Sequence, residues 1–382
     1  MGAGQKDFPP ETFLRKRKPF VIRPTRAYNN GEALYRIMLT IEHLKVKSFE
    51  TVVVGKDPAA HFHAIIAVHS TRLGPSLGGI RMWPYTDEQE ALQDVLRLAE
   101  AMSKKAAISG LQIGGGKAVI IGHPEKDKSR SVLLAMGRLI DSLKGAYIAA
   151  KDSGIVPEDL DVVAEKTRHV TGTTGKHGGS GDPSLSTAKG VLGGMRAACQ
   201  VVFGSQDLKN RVVAIQGVGH VGWNLGNLLA KHGAKLIVAD LQPERAIRAQ
   251  QSWNADVVPL SRIHRVPADI FAPCALGGIL NAKTIPQLGA RIVAGGANNQ
   301  FQDEARDPYL LMKRNIVHVP DYVLNAGGLI QLVVREVLHQ RRVAPWLANI
   351  QRTVRQVLTE SERDGLPPLI VANCLALETI ES

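Results

Sequence analysis

From about residue 51 the chain alternates short apolar runs with stretches whose apolar positions recur every three or four residues, the order of a sheet covered by helices. Residues 51–54 and 64–68 read as strands, separated by a loop around Asp57 and Pro58. Gly74, Pro75, Gly78 and Gly79 then mark an irregular segment, which is either a simple turn or a backbone contact to a ligand, and the turn is the simpler reading. Ala91, Leu92, Val95, Leu98, Ala99 and Met102 form a helical stripe, opened by a capping box of Thr86 with Gln89 or Asp87 with Glu90. The triplet Gly114, Gly115 and Gly116 leads through Lys117 into the apolar strand 118–121; a helix over roughly 129–143 follows, then a strand over 146–150 that ends at Lys151 and Asp152. Pro157, with Glu158 and Asp159, opens the next helix.

A second alternation begins at the strand 212–215. It feeds Gly217-Val218-Gly219-His220-Val221-Gly222, a complete G-x-G-x-x-G, then a helix to Lys231, a strand over 235–239 and Asp240. A lone glycine fingerprint is weak, but strand, helix, second strand and terminal acid in this order are the context that dinucleotide binding needs. Gly217 permits the tight turn, Gly219 admits the pyrophosphate and Gly222 lets helix and strand pack closely, with the phosphates at the helix N-terminus. Asp240 would accept hydrogen bonds from the adenosine ribose hydroxyls and repel a 2′-phosphate. Leu241 and Gln242 offer no immediate cation, so NAD is expected over NADP. Residues 270–274 and 291–294 read as further strands of the same sheet. Asn298 and Asn299, after the second of them, could bond a nicotinamide amide or build an Asx turn.

At 382 residues the chain exceeds the roughly 250–300 that one core serves, so two domains are expected. No apolar run approaches the ~20 residues of a membrane-spanning helix, and Cys199, Cys274 and Cys374 are widely spaced, which fits a reducing, cytoplasmic setting. The formal charge of +12 raises the question of an anionic partner. Part of that surplus is local, in Arg15, Lys16, Arg17, Lys18, Arg23 and Arg26; no reader motif accompanies the run, so it reads as a solvated, partly disordered extension and nucleic acid is not an expected partner. His61 and His63 alternate on one strand with no third ligand nearby in sequence, and no metal site is expected.

The candidate acid–base chemistry lies in the first half. Lys117 sits beside the glycine triplet in apolar surroundings, where a lysine must reach water or find a partner and can be driven toward neutrality. Asp152, at a strand end, is a plausible partner for it. Lys105, in the last turns of its helix, by itself reads as offsetting the helix dipole.

Together these segments resemble the Glu/Leu/Phe/Val dehydrogenase family, most closely its leucine and phenylalanine dehydrogenase branch. The residues that carry the resemblance are Leu73-Gly74-Pro75-Ser76-Leu77-Gly78-Gly79, Arg81-Met82-Trp83, Met102 with Lys105, Gly114-Gly115-Gly116-Lys117, the glycine fingerprint, Ala272-Pro273-Cys274-Ala275-Leu276-Gly277, Ala297-Asn298-Asn299-Gln300, and Pro320-Asp321-Tyr322 with Asn325-Ala326-Gly327-Gly328. The resemblance implies reversible oxidative deamination of an L-amino acid to a 2-oxo acid and ammonia, with NAD taking the hydride. It implies that Lys105 holds the substrate carboxylate, that Lys117 polarises the carbonyl and activates water, and that Asp152 exchanges protons with substrate and water. Asn298 would lie near nicotinamide and substrate, and Thr187 in the cofactor segment. Gly78 joins the substrate-binding set; Leu77, Ala150, Leu329 and Leu332 align with side-chain pocket positions, which makes an apolar substrate the expectation.

The expected architecture is therefore α/β in two domains, an N-terminal catalytic one and a Rossmann one. It has a basic extension over 1–45, a catalytic part over 46–183, an NAD-binding part over 184–330 and C-terminal helices over 331–382 that pack back across the cleft. A homo-oligomer is implied by the family. An aliphatic substrate of leucine, valine or isoleucine type leads, an aromatic one (phenylalanine or tryptophan) is the rival enzyme reading, and a non-catalytic NAD-binding or assembly protein is the rival class. Two positions depart from the branch: Lys151, beside the aspartate to which the resemblance gives proton exchange, and Ile80 in place of a threonine.

Overall fold

The computed structural model describes residues 20–21, 39–174, 179–275 and 277–382. Most of the basic extension, including its Arg15–Lys18 run, and Leu276 of the 272–277 motif lie outside these described residues. The chain divides into two compact units, one of Met1–Ala107 with Gln112–Gly179, the other of Ile108–Leu111 with Ser180–Ser382.

The first unit contains β1 (Phe20–Val21), β2 (Thr40–Leu44), β3 (Thr51–Asp57), β4 (Phe62–Ser70), β5 (Ser76–Trp83), α1 (Glu88–Ile108), β6 (Gly114–Ile121), α2 (Arg130–Ser142), β7 (Tyr147–Lys151) and α3 (Pro157–Ala164). Its strands form one seven-stranded sheet in the order β1-β2-β3-β4-β6-β5-β7. The meander β2 to β4 is antiparallel, whereas β6, β5 and β7 run parallel to one another. Strand alternation assigns the two faces. Val52, Val54, Ile65, Ala67 and Val119 bury against Ala91, Leu92, Val95 and Ala99 of α1. Val53, Ala64, Ile66, Ile80, Met82 and Ile120 bury against α2 and α3. At the start of α1, Asp87 accepts from the Glu90 N–H while the Glu90 carboxylate accepts from the Thr86 N–H and hydroxyl, so the partner of Thr86 is Glu90 rather than Gln89.

Three local expectations change. Residues 76–79, read as part of a turn, belong to β5, and the glycine triplet, read as a loop before a strand, lies inside β6. Glycine weakens a strand signal, but here parallel pairing on both sides of β5 supplies the backbone partners that propensity does not. Residues 40–44, placed with the extension, pair along β3 as a regular antiparallel strand.

The second unit contains α4 (Ser184–Phe203), β8 (Val212–Gln216), α5 (His220–Lys231), β9 (Lys235–Ala239), α6 (Pro243–Trp253), β10 (Asp256–Val257), β11 (Ala268–Pro273), β12 (Ala290–Val293), α7 (Asp307–Lys313), β13 (Val317–His318), α8 (Asp321–Leu324), α9 (Gly327–Leu332), α10 (Ala344–Asp364) and α11 (Pro368–Glu381). Its sheet is wholly parallel, in the order β10-β9-β8-β11-β12-β13. Renumbered within the unit this is 3-2-1-4-5-6, the doubly wound Rossmann order, whose direction reverses between β8 and β11. The strands read as continuous apolar runs because both faces are covered, one of them by Leu311 of α7 and Leu369 of α11 around Phe271 and Val293. Helix α10 packs along α4 within this unit, where Ile350 meets Gly190 and Val354 meets Gly194.

Candidate functional site

Lys117 is on β6 and Asp152 directly follows β7, and β5 runs between those two strands. Two strand spacings amount to about 9–10 Å. Even so, Lys117 Nζ stands 2.6 Å from Asp152 Oδ2. The register explains the reach. Leu77 pairs with Gly115 and Ile80 with Ala118, so Gly79 is the β5 position beside Lys117; Gly79 itself pairs with Ala150 on the other side. A methyl group on Gly79 would come within 2.7 Å of Asp152 Cβ. The bare backbone there lets the lysine cross β5 over the α1 face.

The same oxygen of Asp152 accepts a hydrogen bond from Arg81 Nε at 3.2 Å, and Arg81 Nη1 donates to Asp94 on α1 at 2.9 Å. Asp94 also accepts from the Tyr85 hydroxyl at 2.7 Å and from Arg97 at 2.7 Å. The result is a charged chain, Lys117–Asp152–Arg81–Asp94, laid along one face of the sheet. Lys117 is 6% exposed. Burial holds its ammonium below the ordinary lysine range, and the attraction and hydrogen bond of Asp152 oppose that shift only in part. For Asp152 burial alone would raise the pKa, but Lys117 and Arg81 together hold the carboxyl below its usual range. The directions are compatible because the lysine gives up more hydration than the aspartate does.

Lys105 lies in the last turn of α1, half-buried. The helix descends onto β6 at Gly115, where a Cβ would stand 2.0 Å from Ser103 N. Gly115 thus accommodates the approach of α1, bringing the segment that bears Lys105 close to the strand that bears Lys117. Leu77 is buried on β5, Gly78 faces the Gly116 carbonyl, and Ala150 is buried on β7, all in the first unit. Tyr147, fully buried, donates its hydroxyl to the Gly78 carbonyl at 2.7 Å. Lys151 is exposed, and the side-chain partners of Asp152 are Lys117 and Arg81.

In the second unit Gly217 has φ of +92°, and a Cβ on Gly222 would stand 2.0 Å from the Gly217 carbonyl oxygen, so the loop closes tightly on the first turn of α5. Asp240, after β9, accepts from the Val218 N–H at 2.6 Å and from the Gln242 N–H at 2.9 Å, tying the loop to the end of its neighbouring strand. A cleft of about 480 Å³ opens there, lined by Gln216, Gly217, Gly219, Asp240, Ala275 and Ile279 among others. Gln216 Oε1 is buried without a hydrogen-bond partner among the described residues. A tight glycine cradle, an acid beside it and an unsatisfied acceptor at the switch point fit a dinucleotide.

His220 begins α5 and is exposed; Val221 meets Gly296, which seats the 297–300 turn beside the loop. Asn298 is exposed on that turn and accepts from Asn325 Nδ2 at 2.6 Å. Thr187 is buried on α4, its hydroxyl donating to the Pro183 carbonyl, and it abuts Gly327 and Gly328 of α9; Leu329 and Leu332 follow on that helix, both half-buried. Lys105, Lys117, Asp152, Leu77, Gly78 and Ala150 therefore belong to the first unit, and the remaining candidates to the second. The roles of Arg81, Asp94 and Gly79 went unread in the sequence. The available signal was a lone arginine among apolar strand positions, in phase with Gly79. His63 bonds Glu88 at 2.9 Å, and among the described residues no three His, Cys, Asp or Glu side chains gather as a metal site. No helix among them is long and apolar enough to cross a membrane.

A Rossmann unit and an α/β unit with a buried lysine–aspartate pair fit an oxidoreductase that moves a hydride to a dinucleotide. Residues 44–169 match the family model described as Glu/Leu/Phe/Val dehydrogenase, dimerisation domain, and residues 243–379 the model described as Glutamate/Leucine/Phenylalanine/Valine dehydrogenase. Leucine dehydrogenase of Thermoactinomyces intermedius is 45% identical over 346 residues, 90% of this chain and 94% of that one. Valine dehydrogenase of Streptomyces albus is 43% identical over 346 residues, 89% and 94% of the respective chains. The crystal structure of L-tryptophan dehydrogenase from Nostoc punctiforme superposes with a TM-score of 0.80 at 38% identity, covering 87% of this chain and 96% of that one. The chain belongs to the Glu/Leu/Phe/Val dehydrogenase family.

Proposed function

We propose that the protein catalyses the reversible NAD-dependent oxidative deamination of an apolar L-amino acid, of leucine, valine or isoleucine type, to the 2-oxo acid and ammonia. The observation that carries this reading is the buried Lys117–Asp152 pair at 2.6 Å. Loss of hydride from Cα is easiest when the substrate amine is neutral, so the site needs a base that works near neutral pH. Burial shifts the Lys117 pKa downward, the direction such a base requires, beside an ionised carboxylate. In this reading Lys105 holds the substrate carboxylate and Asp152 passes protons between the substrate nitrogen and water. Lys117 polarises the developing carbonyl and takes the proton of the attacking water. Gly217, Val218, Gly219, His220, Val221, Gly222, Asp240, Thr187 and Asn298 hold the cofactor, which when bound accepts the hydride. Asp240 supports NAD over NADP.

Leu77, Gly78, Ala150, Leu329 and Leu332 are the substrate-binding residues in this proposal, and their apolar character favours an aliphatic side chain. The likeness to L-tryptophan dehydrogenase keeps an aromatic substrate as the second reading. A panel of L-amino acids, followed by NADH absorbance and repeated in the direction of amination, separates the two by kcat/KM. No NADH formation with any amino acid, from protein that binds NAD, would overturn the catalytic reading. We further propose a homo-oligomer, supported by the dimerisation-domain match, and a cytoplasmic setting, supported by three free thiols.

A further inference from the structure

Sequence order alone placed no cation beside Asp240. In the folded unit Arg245, in the first turn of α6, stands over the glycine loop, with Nη1 3.8 Å from where a Cβ on Gly219 would be. It lines the 480 Å³ cleft together with Gly217, Gly219 and Asp240, and it also lines an adjoining cleft of about 320 Å³ with Val218, Gly219 and Arg248. Arg245 is thus part of the wall common to both, between the loop and the end of β9. Three residues on, the Arg248 guanidinium stacks on Trp223 at 3.9 Å, which adds a second fixed positive charge on the same side of α6. Among the described residues no carboxylate pairs with Arg245. Asp182, which pairs with His220 at 3.7 Å, and Asp240 are the acids of the two clefts.

The two oxygens of Asp240 are each already engaged by a backbone N–H, at 2.6 and 2.9 Å. Hydrogen bonding of this kind stabilises the carboxylate where it is and offsets part of its repulsion of an incoming anion. The adenosine ribose of a dinucleotide seated on this fingerprint lies between the loop and the acid, and a 2′-phosphate is accommodated where an arginine stands nearby. We infer that Arg245 makes the cleft an acceptor for a phosphate on the adenosine ribose, so that the protein binds NADP(H) as well as NAD(H). Asp240 sets the preference for NAD(H) and Arg245 limits its size. This inference rests on the dinucleotide reading of the cleft.

The test is direct binding to the full-length protein, by quenching of tryptophan fluorescence with NADH and NADPH and by calorimetry with NAD and NADP. The wild type is expected to bind NADPH within roughly a hundredfold of NADH. A hydrogen bond to a charged group corresponds to roughly a 10- to 100-fold change in binding, so Arg245→Ala should weaken NADPH by that factor and NADH by at least tenfold less. Arg245→Lys should recover part of the loss, and high salt should narrow the difference between wild type and Arg245→Ala. Equal weakening of both nucleotides by Arg245→Ala overturns the assignment in favour of a contact common to both. Wild-type binding of NADH with none of NADPH overturns it outright. If neither nucleotide binds, the dinucleotide reading itself fails.

Discussion

Lys117 Nζ meets Asp152 Oδ2 at 2.6 Å although a whole strand separates them, because the residue it crosses is Gly79. A buried ammonium, an ionised partner and the gap that joins them come from β6, from the end of β7 and from β5.

Removing either ionisable partner should separate chemistry from folding. Lys117→Met replaces a buried charge with an apolar chain of similar length, so the protein should fold while kcat falls by roughly 10²- to 10⁴-fold, as measured by steady-state kinetics beside circular dichroism. Asp152→Ala should abolish turnover and also destabilise, by up to about 3–5 kcal/mol in urea unfolding, because it strands a buried lysine. Arg81 stays near that lysine and offers it no compensation.

The gap at Gly79 is specific. Gly79→Ala would put its methyl 2.7 Å from both Asp152 Cβ and the Lys151 carbonyl oxygen, so a large loss of kcat together with a fall in stability is expected. Gly115→Ala strikes the Ser103 backbone at 2.0 Å instead, and a fall in stability of roughly 1–3 kcal/mol or more should follow. Gly193→Ala on α4, whose nearest neighbour would be 3.8 Å away, should stabilise by about 0.5–1 kcal/mol, and melting temperatures of the three variants check the ranking.

Activity should depend on pH through the coupled pair. Oxidation is expected to rise with pH along a limb below the ordinary lysine value of 10.5, since burial favours the neutral amine. The positive charge of Arg81 lowers the pKa of both Lys117 and Asp152, so Arg81→Gln should move that limb upward and Arg81→Lys should largely restore it. An unchanged limb in Arg81→Gln would show that the arginine serves packing alone.

Stability follows the same shifts, and through both windows it rises with pH. Folded Asp152 holds its proton less tightly than the ordinary value of 3.8, so its contribution is present above that pH and is lost as pH falls through the lower folded value. Folded Lys117 also holds its proton less tightly than the unfolded chain does. Its protonation opposes folding, and that penalty is relieved as pH rises from the folded value toward 10.5. Urea titrations of wild type and Lys117→Met across both windows should differ in these directions.

Substrate choice should respond to α9. Shortening Leu332, a proposed substrate-binding residue, to Ala is expected to raise kcat/KM for phenylalanine relative to leucine by roughly tenfold or more, since each methylene contributes about 1–3 kcal/mol. An unchanged ratio would remove Leu332 from the substrate-binding residues.

The sequence by itself determined the alternation of strands and helices, the Rossmann fingerprint with its acid and the residue types of the acid–base pair. Each of these depends on local periodicity or on short contiguous spacing, and such signals survive without knowledge of the fold. Only the tertiary structure decided that residues 76–79 and the glycine triplet are strand, that Gly79 lies under the Lys117–Asp152 contact, that Arg81 and Asp94 extend the charged chain, and that Arg245 stands over Gly219. Those relationships are set by sheet order and register between segments far apart in the chain, which no local pattern encodes.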